Sequence, residues 1–456
     1  MRYPNIVLIL ADDMGLGDLD ARLDGMPALP ALAHLAAGGV TLTQHYSGAP
    51  VCAPARAALL TGRYPHRTGV VDTLETVGLD RLRPGEVTLA DQLRVAGYRC
   101  GLVGKWHLGA YASPYHPLAR GFDEFVGFRG GWSDYFDWHL EVAGRRQNGD
   151  GRYLTDVLTA AARDFVRRHR DAPFFLHLAY NAPHFPLQAP EKDVAPFRLP
   201  GRTEALATLY GMLAVMDRGI GAILADLDRW GLAENTVVVF ASDNGPDFGG
   251  AGERSTRRPN GELRGQKGLV FEGGIRVPAI VRWPGGLPAG TTCTAMGHFC
   301  DWVPTLLDAA GAAPVAGPPL DGASCLPALR GEPSGAAPPR FWQWNRYRPQ
   351  ATSNAALRDS DWKLVRPAIA ESMGLRPEDA AGDRRAKAEP DWIPAIPALP
   401  PDVPLPAAPP PLLFHLADDP LETRDLAATE PARAAAMLRR LEGWFADVTG
   451  GALGAP

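Results

Sequence analysis

Six short segments of this chain carry side chains able to do chemistry. "LADDM" supplies Asp12 and Asp13, "VCAPAR" Cys52 and Arg56, and "GKWHLG" Lys105 and His107. "NAPH" adds His184, "SDNG" Asp243 and Asn244, and "GQKG" Lys267. Three aspartates drawn together repel one another unless a cation neutralises them. Aspartate and asparagine offer only oxygen, a donor set that suits a hard divalent ion, Ca2+ or Mg2+, over zinc. Lys105, His107, His184, Lys267 and Arg56 would set fixed positive groups beside that ion, as a small, multiply charged oxyanion requires; sulfate and phosphate esters both qualify. Each segment alone has a plainer alternative. DD and SDNG make ordinary caps and turns, a lone histidine is ordinary hydrogen-bonded core, and a lone lysine is ordinary surface. The two lysines stand out because glycines bracket them, which lets a chain approach a ligand closely.

The elements that must position these residues are apolar runs. Asn5–Leu10, Tyr98–Val103, Pro173–Leu178 and Thr236–Phe240 are rich in β-branched or aromatic residues and predict buried strands. Amphipathic stretches separate them. In the clearest, 203–231, Leu206, Leu209, Leu213, Met216 and Ile220 recur at three- and four-residue steps, and Gly231 stops the helix. Alternating strands and helices predict an α/β fold with a mainly parallel sheet covered by helices on both faces. Ligands of such sheets bind beyond the carboxyl ends of the strands. Each of the four strands runs straight into one of the polar clusters, so four separate regions converge on one sheet edge.

Cys52 poses a conflict. "CAPARAALLTG" predicts a helix from near Pro54 to Gly62, with proline tolerated in its first turn. A cysteine at that helix N-terminus, with Arg56 one turn on, has the surroundings of a reactive thiolate. A soft thiolate nonetheless matches a hard oxygen-ligand cation poorly.

The bulk properties narrow the class. The chain has 456 residues, 46% of them apolar and 21% charged, with a net charge of −5. Nothing in that balance suggests a nucleic-acid or polybasic membrane surface. Five scattered cysteines, at 52, 100, 293, 300 and 325, form no disulfide framework and fit a reducing compartment. The first apolar run ends after six residues in two aspartates, too short for a signal sequence or membrane span, so a cytoplasmic location is expected if Met1 is the start. Composition shifts near residue 311 into Gly, Pro and Ala, and a second unit follows. We expect a catalytic domain over 1–335 and a smaller C-terminal α+β subdomain with an antiparallel sheet over 336–456, contributing to the substrate pocket. Within it, "AALRDSDWKLV" reads as strand, 390–411 as a Pro-rich irregular loop, and 430–447 as a closing helix. Trp342, Trp344, Arg346 and Arg348 in "FWQWNRYR" would stack on a sugar or meet a second acidic group, although strand packing is the plainer reading.

"CAPAR…LLTGRYPHRTGV" resembles the signature of the type I sulfatases of the alkaline-phosphatase-like superfamily, a Cys-x-Pro-x-Arg core followed by a Thr-Gly-Arg turn. "PNIVLILADDMGLGD", "GYRCGLVGKWHLG", "YNAPHFP", "ASDNG", "LRGQKGLVFEGGIRVPAIVRWPG" and "LFHLADDPLETRDLA" follow in family order, so the resemblance covers nearly the whole chain. It implies that a maturase oxidises Cys52 to formylglycine, whose hydrate supplies an oxygen nucleophile and removes the mismatch with a hard cation. It further implies that Asp12, Asp13, Asp243, Asn244 and modified Cys52 hold one divalent cation, Ca2+ above Mg2+. Arg56 would steady the formylglycine, and Lys105 and Lys267 would grip sulfate oxygens. His184 would protonate the leaving alcohol, and His107 would take the proton from the second diol hydroxyl. Thr61 and Arg63 belong to the motif read during maturation. Ala55 stands where many members carry serine, and Ser133 is a looser match that reads better as a loop serine. The implied reaction is hydrolysis of a sulfated carbohydrate or an aryl sulfate. The alternatives are a phosphonate monoester or phosphodiester hydrolase, whose relatives tend to carry Gln and His in place of Asp13 and Asn244, and a non-catalytic sulfate-ester binder if Cys52 stays unmodified.

Overall fold

The computed structural model describes residues 3–23, 25–389, 391–397 and 404–450. Its main sheet has ten strands, and the four anticipated strands are its centre. They occur as Asn5–Ala11, Arg99–Lys105, Phe174–Ala179 and Thr236–Ser242. They lie side by side, with Asn5–Ala11 parallel to both Thr236–Ser242 and Phe174–Ala179, and Arg99–Lys105 parallel to Phe174–Ala179. Successive side chains of a strand face opposite ways, so each apolar run feeds two cores. Ile6, Leu8, Leu10, Val237 and Val239 pack with Leu59, Leu60, Leu89 and Leu93 on one face. Val7, Ile9, Leu176, Val238 and Phe240 pack with Leu213, Met216, Ile220 and Leu224 on the other.

The helix carrying those last residues runs Glu204–Arg229 and begins at Thr203, whose hydroxyl accepts from the Leu206 amide at 3.1 Å. It has the length and apolarity of a membrane span, but 67% of its apolar window is buried in the protein, as a core helix requires. Parallel pairing does not extend across the whole sheet. Glu124–Phe128 continues it, while His139–Val142 and Arg145–Asn148 turn antiparallel on one flank and Ala279–Arg282 does so on the other.

A second, antiparallel sheet orders Arg340–Gln343, Ala355–Asp359, Trp362–Arg366 and Leu412–His415. "AALRDSDWKLV" is therefore a hairpin and not one strand. Ser360 and Asp361 form its turn, with Ser360 in the left-handed region at φ 53°. The closing helix spans Pro431–Thr449, and its Trp444 stacks on Phe341 at 5.1 Å between ring centroids. Of the Pro-rich stretch, 390 and 398–403 lie outside the described residues; 404–411 carries neither helix nor strand.

A buried ion cluster ties the second sheet to the short helix Glu272–Ile275, which leads into the main-sheet strand Ala279–Arg282. Lys363, wholly buried in the second sheet, meets Glu272 at 2.8 Å and Glu422 at 2.9 Å. Glu272 also accepts from the Tyr46 hydroxyl at 2.6 Å. Lys363→Met would leave buried Glu422 without its ion-pair partner and Glu272 with only the more distant Arg276, at 3.7 Å, among the described residues. We expect it to lower the unfolding free energy by about 3–5 kcal/mol. Urea unfolding at neutral pH checks this, and a change within experimental error would mean that the cluster does not tie the second sheet to that helix.

Candidate active site

The carboxyl ends of the four central strands deliver the site. Asp12 and Asp13 leave Asn5–Ala11, and Asp243 and Asn244 leave the neighbouring Thr236–Ser242 strand in parallel register, which sets the two pairs face to face. Asp13 takes a left-handed backbone, φ 68°, and its amide donates to Asp243 Oδ1 at 3.2 Å. A non-glycine residue held there stores of order 1–3 kcal/mol. The bend turns consecutive aspartates toward one point. Asn244 Nδ2 donates to Asp13 Oδ1 at 2.7 Å and thereby turns its own oxygen the other way.

That oxygen, Asn244 Oδ1, and Asp12 Oδ1 are both buried and lack a hydrogen-bond partner among the described residues. Buried polar atoms are ordinarily satisfied, and two acceptors missing a donor beside three carboxylates mark a place for a positive ion. Ligand atoms of Asp12, Cys52 and Asp243 lie within 4.8 Å of one another, as do those of Asp12, Asp13 and His184. The donor set therefore fits a hard divalent cation at the point the sequence indicates. The sulfur of unmodified Cys52 is its one soft member.

Cys52 opens the helix Cys52–Thr61, all ten residues of which are buried. The helix starts two residues earlier than its Pro54 suggests, because extended Val51 serves as its N-cap and proline sits within the first turn. Gly62 ends it with a left-handed φ of 70°. Burial pushes the Cys52 thiol up; Lys105 and Lys267 pull it down, and Asp12 and Asp243 oppose them. Desolvation thus works against the reactive-thiolate reading, although the helix terminus and Arg56 are both in place.

Arg56 is wholly buried and donates to Asp243 Oδ2 from Nη2 at 2.8 Å and from Nε at 3.1 Å. Burial and the repulsion of Asp12 push the Asp243 carboxyl up to about 6, against the pull of Arg56 and Lys105. Lys105 leaves the end of its strand and binds Asp12 Oδ2 at 2.5 Å, fully buried beneath the site. Lys267 binds Asp13 Oδ2 at 2.8 Å. Burial alone would raise the Asp13 carboxyl, but Lys267 and His184 hold it below the usual carboxylate range.

The two histidines are held differently. His107 Nε2 is 3.2 Å from the Thr73 carbonyl, which fixes Nε2 as the protonated nitrogen and leaves Nδ1 buried without a partner. Glu75 Oε1 stands 3.7 Å from Nε2. Burial and Asp80 push the Glu75 carboxyl up to about 7. His184 Nδ1 is 2.7 Å from its neighbour's carbonyl at Phe185, which leaves Nε2 3.8 Å from Asp13 Oδ2. Burial drives both imidazoles well below their ordinary value, with Lys105 adding to the effect at His107 and Lys267 at His184.

Cys52, His107, His184 and Lys267 line one cleft of about 520 Å³. Trp344 and Arg346 also line it, whereas Trp342 is core: its indole donates to the Ser47 carbonyl at 2.7 Å. Thr61 and Arg63 turn away into packing, Thr61 onto the Ala57 carbonyl at 2.7 Å and Arg63 onto Glu86 at 2.6 Å. Ser133 bonds the Asp134 carbonyl at 3.1 Å in a loop. Sequence reasoning missed Glu75, Trp132, Asp383 and Lys387, which form the outer wall of the cleft. The one available signal was Gly130-Gly131 before Trp132. A Cβ on Gly131 would stand 2.4 Å from the His107 ring, so only glycine lets this loop close over it.

Residues 4–312 match the family model described as Sulfatase, and 265–372 match that of N-sulphoglucosamine sulphohydrolase, C-terminal. The mouse (Mus musculus) steryl-sulfatase is 34% identical over 418 residues, covering 73% of this chain and 66% of that protein. The dog (Canis lupus familiaris) N-acetylgalactosamine-6-sulfatase is 36% identical over 366 residues, with 72% and 66% covered. The chain thus spans about two thirds of the length of these curated relatives. The crystal structure of Ps i-CgsB in complex with k-i-k-neocarrahexaose superposes with a TM-score of 0.80 at 30% identity, covering 97% of this chain and 93% of that one.

Proposed function

Since this chain belongs to the sulfatase family, we propose that it hydrolyses a sulfate ester, of a carbohydrate or an aryl alcohol, to the alcohol and inorganic sulfate. The observation that carries this reading is the pair of partnerless buried oxygens, Asp12 Oδ1 and Asn244 Oδ1, set among carboxylates beside residue 52. Asp12, Asp13, Asp243 and Asn244 would hold one divalent cation, which would supply Lewis-acid polarisation of the ester and of the nucleophile. Calcium suits a crowded all-oxygen set better than magnesium, which demands near-ideal octahedral geometry and keeps its waters. A transient maturase would convert Cys52 to formylglycine, giving residue 52 an oxygen nucleophile in hydrated form.

The chain's own residues then divide the work. Arg56, held by Asp243, sets a fixed positive charge one helical turn after residue 52. Lys267 faces the cleft and binds a sulfate oxygen, while buried Lys105 neutralises Asp12 and adds positive potential at the anion. His184 presents Nε2 toward the leaving oxygen. Burial and then Lys267 keep this imidazole neutral; a bound anion beside Lys267 offsets the lysine's part, so substrate raises its proton affinity and lets it act as the acid. His107 offers its partnerless Nδ1 as the base that takes a proton from residue 52, and Glu75 stands behind to stabilise the imidazolium.

Leaving-group dependence tests this assignment. His184→Gln is expected to cut kcat by about 10²–10⁴-fold for an alkyl sulfate, whose alkoxide needs a proton. The loss should shrink for aryl sulfates as the phenol becomes more acidic. An equal loss across a series of graded phenols would remove His184 from the acid role.

A further inference from the structure

The cleft over residue 52 does not end at the histidines. Its outer wall, made by Glu75, Trp132, Asp383 and Lys387, is shared with a second hollow of about 550 Å³. Each hollow has the size that takes a drug-sized ligand, so the two in series fit a leaving group longer than a single ring. Trp132 and Trp344 line the inner part, and Tyr111 and Trp392 the outer. Such faces suit the apolar C–H face of a sugar ring.

The charges along this track are arranged unlike those at residue 52. Every lysine and arginine lining it beyond Lys267 already has a carboxylate, among the described residues. Arg346 binds buried Asp72 at 2.8 Å and the Thr73 hydroxyl at 2.9 Å. Lys387 binds Asp383 at 2.7 Å, one turn away on the helix Pro377–Ala388. Arg129 stands 3.6 Å from Glu141, and Arg146 pairs with Asp391. The lining histidines are engaged as well, His116 with Glu141 at 2.8 Å and His139 with Asn148 at 3.1 Å. Three further lining carboxylates, Glu75, Asp134 and Asp137, have no lysine or arginine within ion-pair distance among the described residues. The outer track thus carries more carboxylates than cations, with Asp134 and Asp137 as its unneutralised charges, and no unpaired arginine or lysine among the described residues.

We propose that this outer cleft selects an uncharged, polyhydroxylated leaving saccharide, so that the enzyme cleaves sulfate from otherwise neutral glycans and rejects those with a second sulfate or a carboxylate on the neighbouring ring. The proposal rests on the sulfatase reading above and deepens it. Carboxylates accept hydrogen bonds from sugar hydroxyls, the tryptophans hold the ring faces, and a second anion meets like charge where every cation is already paired. Selectivity here comes from repulsion of the wrong ligand as much as from attraction of the right one.

The test is a matched panel on the matured, full-length enzyme. Neutral oligosaccharides bearing a single sulfate, with sulfate positions varied, are compared with the same oligosaccharides carrying a second sulfate on the next ring. An aryl sulfate serves as the size-independent probe. We expect kcat/KM for the singly sulfated member of the best pair to exceed that of its doubly sulfated partner by at least about tenfold. The double variant Asp137→Lys with Asp383→Lys should bring that ratio toward unity, mainly through KM for the doubly sulfated substrate. Equal or better cleavage of the doubly sulfated member overturns the proposal. So does a ratio that stays unmoved in a variant with a native circular dichroism spectrum, and so does turnover of the aryl probe with no saccharide cleaved. Absence of sulfate release from every ester, the aryl probe included, overturns the sulfatase reading and this proposal with it.

Discussion

Cys52→Ala is expected to lose sulfate release by about 10⁵–10⁶-fold in kcat, the scale seen when a nucleophile is deleted from an otherwise complete site. The fold should survive. Cys52 is the first residue of its helix, and alanine keeps the backbone and the better helix propensity while removing one sulfur. We expect its stability to change by about 1 kcal/mol or less. The asymmetry between a large kinetic and a small thermodynamic effect is the informative part. Residue 52 stands with Asp12 and Asp243 at a shared point, so its chemistry is needed there far more than its bulk. Initial rates on an aryl sulfate, paired with a thermal unfolding curve, measure both. Retention of more than a few per cent of wild-type activity would mean that another group attacks the ester.

Asp243→Ala should be nearly as damaging for a different reason. Asp243 touches three parts of the site at once: it accepts from the Asp13 amide, holds the Arg56 guanidinium by two bonds, and contributes an oxygen to the shared point with Asp12 and residue 52. Its removal deletes a cation ligand and frees a buried arginine to draw closer to Asp12, now 3.6 Å away. We expect cation affinity to fall by more than about 100-fold, beyond what loss of an outer-shell partner costs, and turnover to fall with it. Metal analysis after exhaustive dialysis, followed by titration with Ca2+, gives the answer. A variant that keeps one cation per chain would show that the four oxygen-bearing residues do not form the metal shell.

Most of the inner site is legible in the sequence because it rests on local rules. An apolar run of six or seven residues ending in polar residues marks a buried parallel strand and its functional end. Four such runs put Asp12, Lys105, His184 and Asp243 on one sheet edge. Small errors came from turns and termini. The Cys52 helix opens two residues early because proline does not forbid the turn before it, and "AALRDSDWKLV" folds back at Ser360 because two polar residues, Ser360 and Asp361, interrupt it. The outer cleft was not legible. Glu75, Trp132 and Asp383 come from a short helical turn, a glycine loop and a C-terminal helix whose sequences carry no chemical pattern of their own. They meet through contacts distant in sequence: the Gly131 amide donates to Glu75, and the helix Pro377–Ala388, which carries Asp383, packs on the turn Glu75–Val77. Desolvation was also invisible. The sequence shows a thiol near a helix terminus and an arginine, which argues for a thiolate, while burial of the whole helix pushes the thiol the other way.

The central claim is that residue 52 works as an oxidised cysteine. Trypsin should release Leu23–Arg56 as one peptide, since no lysine or arginine lies between Arg22 and Arg56. Mass spectrometry of that peptide, from protein made in its native host and active on a sulfate ester, reads the state of residue 52 directly. The account predicts formylglycine, as aldehyde or hydrate, in a fraction that tracks specific activity across preparations. An active preparation in which every copy carries an unmodified thiol would contradict it.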